Sequence, residues 1–155
     1  DLLGYVFIDS DTEIEKRAGA NIPWIFDVEG EEGFRRREKA VLEDLAQRSQ
    51  AVIATGGGAI LAPNNRELMA RSGVVVFLNV SVAQQLKRTG SGEGRPLLQR
   101  GDREETLTNL MAEREPLYRE LAEVMNSGAG GNARRDARHI QSQLSERGLL
   151  FSDSE

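Results

Sequence analysis

The run Ala51-Val52-Ile53-Ala54-Thr55-Gly56-Gly57-Gly58-Ala59-Ile60 constrains the fold more than any other stretch of the 155 residues. Its first half is apolar and β-branched, as in a short buried strand. Three glycines at its end remove every Cβ where the chain turns. Such a triplet suits a backbone that needs positive φ, or one that another group must approach closely. In an open α/β sheet, ligands sit beyond the carboxyl ends of the strands, so the triplet is a candidate cradle for a small polar substrate.

Strands and helices alternate along the rest of the chain. Tyr5-Val6-Phe7-Ile8 reads as a strand ending in Asp9-Ser10-Asp11, followed by a helix that Gly19 closes. Pro23 opens a short helix over 23–28, Glu29-Gly30-Glu31 interrupts it, and a longer helix over 32–47 carries Phe34, Val41, Leu42 and Leu45 on one face. A helix over 63–72, a strand over 74–80 and a helix over 82–89 capped by Ser81 come next. A long helix over 103–122, expected to bend at Pro116, precedes a weak strand over 123–126 and a helix over 132–147. This alternation predicts an α/β fold with a mainly parallel sheet, right-handed crossovers and flanking helices. One domain is expected over 1–147 with a frayed tail at 148–155, and the glycine-rich stretch at 90–101 has the composition of a lid.

Charge narrows the function. A net charge of −5 argues against a general nucleic-acid binder, and the absence of cysteine excludes disulfides and thiolate metal sites. The longest apolar run, Val74-Val75-Val76-Phe77-Leu78, has the length of a strand and not of a membrane span, so a cytoplasmic location is expected. Lysine occurs only at Lys16, Lys39 and Lys87, leaving 17 of the 20 basic residues as arginine, whose planar fork suits carboxylates and phosphates. Arg35, Arg36 and Arg37 crowd the start of a helix, where cations oppose the macrodipole. Arg36 has Glu32 as a local partner, while at least one of the three can answer to a ligand. Arg114 falls beside the apolar stripe of its helix, between Met111 and Tyr118, so it points toward the core side and needs an anion, from the protein or from a substrate. Asp9 and Asp11 stand at a strand end. Local chemistry alone makes Asp11 an N-cap and Asp9 a turn residue.

Taken in order, several motifs form a pattern: Phe7-Ile8-Asp9-Ser10-Asp11, Ile22-Pro23, Glu29-Gly30-Glu31, Phe34-Arg35 with Glu38, Gly56-Gly57-Gly58, Arg95-Pro96-Leu97-Leu98 and Arg114-x-Pro116-x-Tyr118. This set resembles shikimate kinase, a P-loop phosphotransferase that moves the γ-phosphoryl of ATP to a hydroxyl of shikimate. The resemblance implies that Asp9 lies near Mg²⁺, and that Asp11 contacts shikimate and takes the attacking hydroxyl's proton. By the same resemblance Arg35 and Arg114 hold the substrate carboxylate, and Gly56, Gly57 and Gly58 line its pocket. Arg95 corresponds to the lid arginine that reaches ATP phosphates, Arg88 matches a nucleotide-side residue, and the relatives suggest a monomer.

The family pattern opens with a strand, a Gly-x-x-x-x-Gly-Lys-Ser/Thr loop and a helix, whereas no Gly-Lys pair occurs here. The expectation is a chain truncated at its front. It would have little ATP-dependent activity as it stands, and a gap or a forced pairing between the strands at 51–55 and 74–80. The loop Asn126-Ser127-Gly128-Ala129-Gly130-Gly131 also departs from the pattern, leaving Arg134 or Arg135 as substitutes for an adenine contact. Two alternatives remain: a non-catalytic module binding shikimate or a similar hydroxy acid, and a related small-molecule kinase such as gluconate kinase.

Overall fold

The computed structural model describes residues 2–89, 102–126 and 132–150. The lid segment, Arg95 and the loop after Asn126 lie outside the described residues. Strand β1 (Val6–Asp9) leads into α1 (Ser10–Ala18), closed by Gly19 with φ 67° as expected. The expected helices at 23–28 and 32–47 are two arms of α2 (Ile22–Leu45), broken at Gly30 (φ 69°, ψ 179°), a conformation that only glycine adopts readily. Asn21 caps its start, accepting from the Trp24 amide at 2.9 Å. Strand β2 (Ala51–Ala54) ends in a 3₁₀ turn (Gly57–Leu61), and α3 (Pro63–Ser72) follows. Strand β3 (Val76–Leu78) is shorter than the apolar run that contains it. Helices α4 (Val82–Thr89) and α5 (Arg103–Leu121), strand β4 (Val124–Asn126) and α6 (Ala133–Glu146) complete the fold. Pro116 stands inside the single helix α5 and does not divide it.

All pairing among the described strands is parallel, but the sheet is in two pieces. β1 pairs with β2 in the register Val6↔Ala51 to Asp9↔Ala54, and β3 pairs with β4 from Val76↔Val124 to Leu78↔Asn126. Of the two expected outcomes, a gap or a forced pairing, the forced pairing does not occur: β2 and β3 do not pair with each other. The first register has a direct consequence: Asp9 lies beside Ala54, two residues short of the glycines.

Most of the core lies in the first half. Ile14, Ile22, Ile25, Phe34, Val41 and Leu45 form one buried cluster that Ile8 and Ile53 of the strands pack against. A second cluster of Leu42, Ala59 and Leu68 supports the 3₁₀ turn from below. Burying a leucine such as Leu42 or Leu68 contributes about 1.5–3 kcal/mol, so the turn is held on a firm floor. The two halves meet where α5 packs on the 3₁₀ turn and on α4. Among the described residues, no helix is long and apolar enough to cross a membrane.

Candidate functional site

The glycine triplet organises the site by close approach and not by unusual torsion. None of its members has positive φ. A Cβ on Gly56 would come within 3.0 Å of Asp11 Oδ1. On Gly57 it would meet Arg114 Nη1 at 2.9 Å and the Tyr118 hydroxyl at 3.2 Å, and on Gly58 it would press into the Arg35 guanidinium, 2.6 Å from Nη1. Each glycine thus makes room for a different polar side chain, and these come from α1, α5 and α2. Since consecutive Cα atoms are about 3.8 Å apart, an acid and two guanidinium groups converge on a stretch of backbone about two peptide units long.

Local chemistry sets each of these side chains. Asp9, and not Asp11, is the N-cap of α1: its Oδ1 accepts from the amides of Asp11 at 2.9 Å and Thr12 at 3.2 Å. Capping by Asp9 places Asp11 in the first turn, where an acid complements the helix dipole. Arg35, Arg36 and Arg37 each have an acidic partner. Arg36 pairs with Glu32 at 3.0 Å on the surface, as its spacing predicts. Arg37 makes a two-pronged bond to Glu29 at 2.7 and 2.8 Å, clamping α2 across the Gly30 break. Arg35 turns inward to Glu38 at 2.8 Å and reaches Glu31 at 3.4 Å.

Glu38 and Tyr118 are site residues to which sequence reasoning assigned no role. The Glu38 side chain is 1% exposed, and its Oε2 has no hydrogen-bond partner among the described residues. Burial raises its carboxyl above the ordinary range, against the pull of Arg35 and Arg114. The signal for it was its position three residues after Arg35, on the face that carries Phe34, Val41 and Leu42. The Tyr118 hydroxyl donates to the Gly57 carbonyl at 2.6 Å, and burial raises its ionisation above the ordinary phenol value. Nothing local announces that contact, which spans 61 residues. Arg114 Nε is buried and likewise without a hydrogen-bond partner among the described residues. At the glycine triplet, then, one buried guanidinium donor and one buried carboxylate oxygen lack a hydrogen-bond partner among the described residues.

Of the residues expected on the nucleotide side, Arg88 belongs to α4, and Arg95 falls outside the described residues. No cluster of three or more His, Asp or Glu side chains suited to a metal occurs among the described residues.

A family model described as shikimate kinase matches residues 1–145. The chain belongs to the shikimate kinase family. Members of this family are ATP-dependent small-molecule kinases, and the relatives are close. The shikimate kinase of Halorhodospira halophila is 54% identical over 144 residues, covering 93% of this chain and 81% of the relative. That of Francisella philomiragia is 49% identical over 145 residues, covering 93% and 82%. Among solved structures, shikimate kinase from Acinetobacter baumannii in complex with shikimate superposes with a TM-score of 0.93 at 47% identity, covering 96% of this chain and 83% of that one. The enzyme from Aquifex aeolicus superposes with a TM-score of 0.81 at 32% identity, covering 96% and 86%. A family fold with parallel strands and flanking helices was legible in the sequence.

Proposed function

We propose that this chain binds shikimate over the glycine triplet and serves the transfer of the γ-phosphoryl of ATP to one of its hydroxyls. The single observation that carries this reading is the pairing of Gly56, Gly57 and Gly58 with Asp11, Arg114 and Arg35. Arg35 and Arg114 would take the substrate carboxylate in their forks, which fixes the ring. Asp11, against Gly56, would accept the proton of the attacking hydroxyl. That oxygen then bonds to phosphorus, the bridging P–O bond of the nucleotide breaks, and ADP leaves with the electron pair. Mg²⁺ would neutralise phosphate charge. The fit is reasonable for a cation that commonly uses one or two carboxylates together with phosphates and water, here the Asp9 carboxylate. Arg88 and Arg95 are proposed for the nucleotide phosphates.

A second reading rests on the absence of a Gly-Lys pair from these 155 residues. A polypeptide of this sequence alone would then capture the acid without turning over ATP. Calorimetry with shikimate, alongside a coupled assay for ADP, tests both. Binding is expected, weakened about tenfold or more in Arg35→Ala by loss of a charge-assisted contact. Shikimate heat that is absent, or unchanged in Arg35→Ala, overturns the site. Turnover near that of a full kinase overturns the binding-only reading. We further propose one domain over 1–147 acting as a cytoplasmic monomer without nucleic-acid partners, supported by the acidic balance and the lack of cysteine.

A further inference from the structure

Tyr118 stands where otherwise separate parts of the molecule meet. Its hydroxyl donates to the Gly57 carbonyl at 2.6 Å, and a Cβ on Gly57 would meet both that hydroxyl at 3.2 Å and Nη1 of Arg114, one turn earlier on α5, at 2.9 Å. Its ring stacks on Phe77 of β3, with centroids 4.6 Å apart and planes 20° from parallel. Because β2 and β3 share no ladder, this side chain bridges the two strand pairs at the level of the site. The rest of the 3₁₀ turn is held from the other side. Asn65 Nδ2 donates to the Ala59 carbonyl at 3.1 Å, and Arg66 Nη1 donates to those of Ile60 and Leu61 at 2.8 and 2.9 Å. The exposed front of the turn, Gly57, has no side chain with which to hold its own peptide plane.

Building on the proposed shikimate site, we propose that Tyr118 is a positioning residue for the substrate acid. One hydroxyl sets the peptide between Gly57 and Gly58 and the fork of Arg114 together, and the Phe77 stack keeps that hydroxyl in place. The acid then meets donors already oriented, and the ordering cost of binding falls. The phenol is suited to this, since burial keeps it a neutral donor through the physiological range. Its route is indirect: Tyr118 acts through Gly57 and Arg114.

The test is shikimate calorimetry on the unaltered chain, Tyr118→Phe, Phe77→Leu and the double variant, with a thermal melt of each. Tyr118→Phe keeps the ring and removes the donor. Measured well below every melting transition, it is expected to raise Kd about five- to tenfold, the usual range for one hydrogen bond. Phe77→Leu should raise Kd in the same direction, and the double variant by less than the product of the two, because both act through one contact. A merely structural role would lower the melting temperature and leave the affinity of the folded protein unmoved. Kd within twofold of the unaltered chain in Tyr118→Phe, whatever the melt does, overturns the inference alone. Failure of the unaltered chain to bind shikimate overturns the reading of the site, and the inference with it.

Discussion

Glu38 is a carboxylate placed where solvent cannot stabilise its charge, beside Arg35 and within the field of Asp11 and Arg114. Its raised ionisation carries a definite sign for stability. The folded state holds its proton more tightly than the unfolded chain, so its contribution to stability is fully present below the ordinary value of 4.5 and is lost as pH rises through the higher folded value. Glu13 and Glu29 act oppositely. Arg17 and Arg37 hold their carboxyls below the ordinary range, so the stability they add is present above it and lost only as pH falls further. The windows do not overlap. Melting temperature followed from pH 4.5 upward is expected to carry a descending component that Glu38→Gln abolishes, and an identical slope in the variant would refute the assignment. Arg35 is legible in the sequence because a cation near a helix start needs a reason. Glu38 stands beside it in the family motif, but its burial is not legible there, because that depends on what packs over its helix face.

Among the elements, α2 sets the angle at which Arg35 enters the site. Its first arm packs Ile22 and Ile25 into the core, its second packs Phe34, Val41 and Leu45, and the break between them falls at Gly30. With φ 69° and ψ 179°, an alanine there is strained by about 1–3 kcal/mol. Gly30→Ala is expected to lower the denaturant midpoint accordingly and to weaken shikimate binding, since Phe34 and Arg35 follow one turn later. A variant as stable as the parent would show that the break tolerates a side chain. The interruption was readable from Glu29-Gly30-Glu31, but the two-pronged Arg37–Glu29 clamp across it was not, because a pair eight residues apart meets only once the helix has been broken.

On the scale of the whole molecule, the division of the sheet into two parallel pairs makes the site a junction. The first pair rests on the Ile14, Ile25 and Leu45 cluster, whereas the second buries Phe77 and Val124 outside that cluster, with α6 packed on β4. Hydrogen exchange should therefore be slowest in α2 and the β1–β2 ladder and faster in β3 and β4. Shikimate should slow exchange in the 3₁₀ turn and around Arg114. Uniform protection across both pairs would contradict a molecule held together chiefly at α5. What the sequence determined by itself was local: strands from β-branched runs, helix starts from Ser81 and Pro23, a helix stop from Gly19, and a cradle from three bare glycines. These follow from torsional preference and hydrogen bonding within a few residues, which neighbours in the chain suffice to specify. The tertiary structure decided that the glycines serve close approach, that Glu38 is buried and that Tyr118 reaches Gly57. Each of those depends on which groups from distant elements exclude water from the same small volume, and short-range sequence preference carries no information about that.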